Sequence, residues 1–136
     1  MSSLSIKRLT IFPNGIATFL VDNKAEEKTA NYTVIITTDS GKTFISVLDG
    51  IVFTLPSIAI GNTVTIVNMA IDGEAALNIS PATLDAITYA GTSVDNKDLI
   101  NTKATARKGD FVTLASLDGV IAWQVVAVRG IWAKEA

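Results

Sequence analysis

Three features of the sequence predict an all-β fold. Ile, Val and Thr supply 44 of the 136 residues, and β-branched side chains fit a pleated surface better than a helix. Short apolar or alternating runs recur along the whole chain, and Gly, Pro and Asp-Gly breakers separate them roughly every ten residues. This pattern predicts one compact unit of antiparallel β-sheet, either a sandwich of jelly-roll type or a barrel.

Taken in order, Ser5 to Phe12 reads as a first strand, stopped by Pro13-Asn14-Gly15, and Ile16 to Val21 as a second. Asp22 to Asn31 is the most charged stretch and reads as a solvated loop. Tyr32 to Thr38 (YTVIITT) reads as a strand ended by Asp39-Ser40-Gly41, and Thr43 to Val47 as a short extended piece before the Asp49-Gly50 turn. Val52 to Leu55 and Thr63 to Asn68 follow as strands, with Ala76 to Ile79 as a shorter one before Pro81. Asp85 to Lys108 is irregular and reads as a long loop holding at most a little strand or one helical turn; such loops are commonly functional. Phe111 to Ser116, the Asp118-Gly119 turn, Ile121 to Val128 and Gly130-Ile131-Trp132 return to β pattern.

Composition narrows the function. The chain has no Cys and no His, which excludes disulfide scaffolds, Cys/His zinc sites and any triad needing an imidazole or thiolate. Eleven basic against 13 acidic residues leave a net charge of −2, so nothing draws the protein to nucleic acid or an anionic membrane. Gly50 to Ile71 lacks charge, but Pro56 and Gly61 break it, so it reads as strand, turn and strand rather than a membrane span. Met1 to Phe12 alternates and is interrupted by Lys7 and Arg8, which predicts no signal peptide.

Motifs for chemistry are weak. Gly41-Lys42-Thr43 lacks the upstream Gly of a phosphate loop and precedes a strand, not a helix. Glu26-Glu27 sits among lysines and reads as solvated surface, and the Asp95–Asp98 stretch lacks the spacing and closing Glu of a calcium loop. No nucleophile–base pair suggests itself, so neither an enzyme nor a cofactor or metal site is expected. Lys103, Arg107 and Lys108 cluster around Gly109 and read either as a solvated loop or as a contact with an acidic protein surface. Trp123 and Trp132 read as core or as interface anchors.

The apolar content raises a separate question. Hydrophobic residues reach 49% and charged residues only 18%, with a mean hydropathy of +0.41. Val34-Ile35-Ile36, Ile66-Val67 and Val125-Val126-Ala127-Val128 are apolar on both faces, whereas a sandwich buries only one face of each strand. The second faces are expected to meet another copy of the chain, with Phe53, Ile66, Trp123, Val126 and Trp132 as subunit-interface or core anchors.

Three runs carry a resemblance: GKTFISVLDGIVFTLPSIAIGNTVTIVN from Gly41, then ALNISPATLDAI, then KGDFVTLASLDGVIAWQVVAVRGIW. In their order of Gly-Lys-x-Phe, Phe-Thr-Leu-Pro, Ile-x-Pro, Gly-Asp and closing Gly-x-Trp elements, they resemble a small β domain of tailed-bacteriophage virion proteins, of the head decoration (cement) and head-fibre type. The resemblance spans Gly41 to Trp132, with little to match in Asn96 to Lys108 and nothing in the first forty residues. It implies residues 41–136 as the virion-type domain and 1–40 as a β segment used for attachment or for clasping a trimer. It further implies a structural homotrimer without a cofactor, located on the outside of a phage head and made in the host cytoplasm. There it would bind the major capsid protein and stabilise the shell against the pressure of packaged DNA. Lys7 and Arg8, within Ser2 to Phe12, and Lys103, Arg107 and Lys108 are the expected shell contacts. The alternative is a tail-fibre module that binds a host glycan or protein through aromatics such as Tyr89 or Trp132.

Overall fold

In the computed structural model the backbone is described for residues 4–11, 17–119 and 121–136, and the side chains for residues 24–119 and 121–136. The first two strands, β1 (Leu4–Ile11) and β2 (Ala17–Asn23), pair with each other in an antiparallel hairpin. The Pro13-Asn14-Gly15 turn lies outside the described residues. The hairpin's register opposes Ile6 to Val21, Leu9 to Phe19 and Ile11 to Ala17, which puts these apolar residues on one face of the ladder. Lys7 is the extra residue of a bulge, which restores that alternation. Ser5, Arg8, Thr10, Thr18 and Asp22 take register positions on the other face, together with Leu20 opposite Arg8.

Short strands continue the chain: β3 (Ala25–Glu27), β4 (Tyr32–Thr33), β5 (Thr43–Ser46), β6 (Ile51–Thr54), β7 (Thr63–Asn68) and β8 (Leu77–Ser80). They are followed by β9 (Ala86–Thr88), β10 (Leu99–Asn101), β11 (Asp110–Ala115), β12 (Ala122–Arg129) and β13 (Ala133–Lys134). Two sheets result, ordered β3-β5-β7-β11-β12-β9 and β13-β10-β8-β6-β4. The domain is all-β, as the composition predicts.

Both sheets are mixed, not antiparallel. From β3 to β8 the chain changes sheet after every strand, so β3, β5 and β7 run parallel in one sheet and β4, β6 and β8 parallel in the other. The turn signals are real, but they send the chain across to the opposite sheet rather than back beside the strand just left. Antiparallel pairing enters with β10 on β8, β11 on β7, β12 on β11 and β13 on β10.

Alternation builds the core between the sheets. Phe44, Val64, Ile66, Val112 and Leu114 from the larger sheet meet Ile51, Phe53, Leu77, Ile79 and Leu99 from the smaller one. Trp123 and Trp132 close this core, and each indole N–H reaches a backbone carbonyl, of Pro56 at 3.3 Å and of Arg129 at 3.0 Å. Phe53, Ile66, Trp123 and Trp132 are therefore core residues of the single copy. Val126 is not: it is 53% exposed.

Three segments differ from the sequence reading. Tyr32 to Thr38 is a strand only through Thr33, and Ile36–Asp39 forms one helical turn. The cause is Asp39, whose buried carboxylate accepts hydrogen bonds from the Tyr32 hydroxyl at 2.6 Å and the Ile35 N–H at 2.8 Å. A continuous strand would hold residues 32 and 39 roughly 23 Å apart, so the chain must curl. The charged stretch 22–31 also holds β3, because its backbone pairs along β5. The irregular stretch 85–108 contains β9, β10 and one tight helical turn at Lys103–Thr105.

One end of the core is polar. Ser46, Asn68, Asn101 and Asp110 are buried there. Asn68 Nδ2 donates to Asn101 Oδ1 at 2.8 Å and to the Ala75 carbonyl at 3.0 Å. Asn101 Nδ2 donates to Asp110 Oδ2 at 3.1 Å, and that oxygen also accepts the Arg107 N–H at 2.9 Å. A network bonded in this way is worth keeping only when its members are partnered. Gly130 lies against it: φ is +95°, and a Cβ there would stand 2.2 Å from the Asp110 carboxylate carbon.

Gly61 provides the control, with φ at +92° and open space around its Cα. Gly61→Ala is expected to cost about 1–2 kcal/mol, the backbone penalty alone. Gly130→Ala adds a clash with the buried network and is expected to cost roughly twice as much. Urea unfolding midpoints of the two variants measure the difference, and equal costs would contradict the packing described for Gly130.

Candidate functional site

The loops of the sandwich gather at its two ends, and the ends differ in chemistry. At the end away from the polar network, residues 55–62, 81–85 and 116–119 lie side by side with Ile121. Their sequences (LPSIAIGN, PATLD and SLDG with Ile121) contain only Asp85 and Asp118 as charged groups. Both acids bond to the backbone: Asp85 Oδ2 accepts the Ile58 N–H at 2.8 Å, and Asp118 Oδ1 accepts the Ile121 N–H at 2.7 Å.

These loops are tied to one another. Ser116 is the hub, and it is fully buried. Its carbonyl accepts the Gly61 N–H at 2.9 Å, its N–H donates to the Asn62 carbonyl at 2.9 Å, and its hydroxyl accepts the Asn62 N–H at 2.8 Å while donating to the Ala59 carbonyl. The Ala86 N–H donates to the Ile121 carbonyl, and Asn96 Oδ1 accepts the Leu84 N–H at 2.8 Å. Leu84 is held at φ +70°, a left-handed conformation that costs a non-glycine residue of order 1 kcal/mol or more.

The side chains carried on this frame are aliphatic and face water. Ile60 and Leu84 are about 70% exposed, and Leu117 and Ile121 only slightly less. Exposed aliphatics grouped on bonded loops mark an interaction surface, and a rigid frame lowers the entropy lost on docking. The sequence reading missed this platform. Its signal was present, since each of the four residues lies within two positions of a turn-forming Pro, Gly or Asp, where an apolar side chain tends to be left outside.

A second apolar surface lies further along β12. β9 pairs only with Ala122, Trp123 and Gln124. Beyond Gln124, β11 covers one edge of β12, and among the described residues no strand pairs with the other. Val126 is the extra residue of a bulge, and Val126, Ala127 and Val128 are exposed, as is Ile131 just beyond. Val126 was one of the five anchors named from sequence, and of those five it alone is exposed here. Five to seven strand residues separate Ile121 from this edge, roughly 17–24 Å, so the platform and the edge are distinct surfaces.

The basic residues lie at the polar end. Lys103 pairs with Asp49 at 3.0 Å. Arg107 and Lys108 are exposed, and the Lys108 N–H donates to Asp72 Oδ1. Asp49, Asp72 and Glu74 thus interleave with the three cations. Lys7 and Arg8 have their side chains outside the described residues. Tyr89 packs half-buried against the core and Trp132 is 5% exposed, so neither offers an open ring to a sugar.

Titratable groups cluster at the β3–β5 edge and, less tightly, where Asp98, Lys134 and Glu135 meet along β10 and β13. Lys42 Nζ lies 3.3 Å from both Glu26 and Asp39, and Lys28 Nζ sits 3.9 Å over the Tyr32 ring. Burial, the hydrogen bond to Asp39 and the Asp39 and Glu26 charges push the Tyr32 phenol up to about 12. Burial alone would raise the Asp39 carboxyl, but hydrogen bonds from Tyr32, Ile35 and Lys42 hold it below the usual carboxylate range. Burial would lower the Lys42 ammonium, and Glu26 and Asp39 more than offset this, so it stays above the ordinary lysine value. This is a closed network that pins the helical turn. Among the described residues no group of three or more Asp or Glu stands close enough to hold a metal ion, and no helix is long and apolar enough to cross a membrane. No protein-family model and no curated protein matches the sequence.

The network sets a pH dependence. A phenol raised in the folded state contributes stability that is complete below pH 10 and is lost between pH 10 and about 12. A carboxyl lowered in the folded state contributes stability present above the ordinary carboxylate range and lost as the pH falls below it. Tyr32→Phe is expected to lose about 1–2 kcal/mol near pH 7. The gap between wild type and variant should stay level from pH 6 to 9 and close between 10 and 12, read as melting temperature against pH. A gap that persists at pH 12 contradicts the assignment.

Proposed function

We propose that this is a structural virion protein that decorates the outside of a phage head as a homotrimer and stabilises the shell. One observation carries the reading: a single copy displays two separate aliphatic surfaces, the loop platform and the β12 edge. A decoration protein needs two interfaces, one with its own copies and one with the shell. The β12 edge suits self-association, because a strand edge and its apolar side chains can be covered together. The platform suits the shell, because a rigid apolar patch docks at low entropic cost. Three such footprints on one body bind multivalently, so each can be weak.

The resemblance of the 41–132 stretch to phage head proteins points the same way. Within this reading the platform takes precedence over the Lys103–Lys108 loop as the shell contact, since Lys103 is already paired with Asp49. The alternative, a tail-fibre module recognising a host glycan, has less to stand on with Trp132 buried and Tyr89 packed against the core.

Light scattering is expected to give a solution mass of about 43 kDa, three times the 14.3 kDa chain. Mixed with phage heads stripped of decoration, the protein should saturate at a fixed copy number. The double variant Leu84→Asp with Ile121→Asp should keep its mass and melting temperature, because both side chains are exposed. Its affinity for heads should fall roughly a hundredfold or more. Failure of the wild type to bind heads, with binding to host cells instead, would replace this reading with the tail-fibre one.

A further inference from the structure

Two elements of the chain are incomplete, and they fit each other. The first is the β1–β2 hairpin. An isolated two-stranded hairpin is marginal in water, and among the described residues this one pairs with no strand of the sandwich. Its register nevertheless sorts Ile6, Leu9, Phe19 and Val21 onto one face, so that face calls for a cover. The second is β12 from Val125 to Arg129, where one edge is unpaired among the described residues, beside exposed Val126, Val128 and Ile131. Such an edge invites uncontrolled pairing unless something caps it.

We propose that the β1–β2 hairpin of one copy docks on the β12 edge of the next, so that each copy gives one arm and receives one. The inference rests on the homotrimer reading and specifies how that trimer is held. Length agrees: the hairpin strands have eight and seven residues, and the open part of β12 has five. An arm-to-edge contact is heterologous, joining different surfaces on the two copies, and a heterologous contact that closes makes a ring.

Two measurements on the full chain test this. The protein contains no Cys, so introduced thiols react alone. Ala17→Cys and Ala127→Cys variants, denatured together, refolded as a mixture and treated with a short bismaleimide, should give two-chain products joining one variant to the other. Separately, Leu9→Asp or Phe19→Asp should lower the solution mass roughly threefold to that of one chain, while Thr10→Asp on the opposite face of the hairpin should not. Trp123 is buried in the sandwich, and its unchanged fluorescence would show that the fold survives. If the variants precipitate, the cross-link alone decides. A wild-type trimer that gives no mixed cross-link, or that keeps its mass in folded Leu9→Asp and Phe19→Asp variants, overturns the arm and leaves the homotrimer standing. A wild type of single-chain mass overturns both.

Discussion

The constraint on which the rest depends is the crossing of the chain from one sheet to the other after nearly every strand. Because β3, β5 and β7 are parallel, each must be reached by a full circuit through the opposite sheet. Among the described residues the crossings from β3 to β8 therefore turn at the two ends of the sandwich, while the Tyr89–Thr92 turn after β9 lies beside the middle of β12. The crossings let residues 55–62, 81–85, 116–119 and Ile121, far apart in sequence, meet in one bonded layer around Ser116. The core in turn needs only strict alternation, which the β-branched strands supply.

The two ends divide the chemistry. One holds a buried amide and carboxylate network under charged loops. The other is nearly free of charge and presents aliphatic side chains to water. An aliphatic end left open in this way lowers solubility unless something covers it. The same holds for β12, where the covering strand stops at Gln124 although the apolar sequence continues to Val128.

The strands were largely legible in the sequence because their signals are local. Thr63 to Asn68 matches β7, and Phe111 to Ser116 and Ile121 to Val128 match β11 and β12 within a residue or so. What was not legible depends on contacts distant in sequence. The Asp39 carboxylate overrides the strand propensity of Ile35 and Ile36 through a bond to Tyr32. Parallel pairing leaves no mark in a turn dipeptide. Trp123 and Trp132, open to either reading from sequence, are settled as core by the sheet opposite them, whereas Val126 stays outside because of a bulge. The platform was missed because four aliphatics scattered over sixty residues become a surface only after the ends of the sandwich form.

The winding also bears on how the protein is made. β11 is the strand that joins β7 to β12, and β13 is the last to be laid on β10. Trp123 and Trp132, which complete the core, arrive with these final strands. On a nascent polypeptide the larger sheet is not whole until residue 129 has left the ribosome, nor the smaller one until residue 134, and long-range pairing of this kind assembles slowly. Folding is therefore held back until nearly all of the domain has been synthesised, so its exposed aliphatic surfaces take shape late.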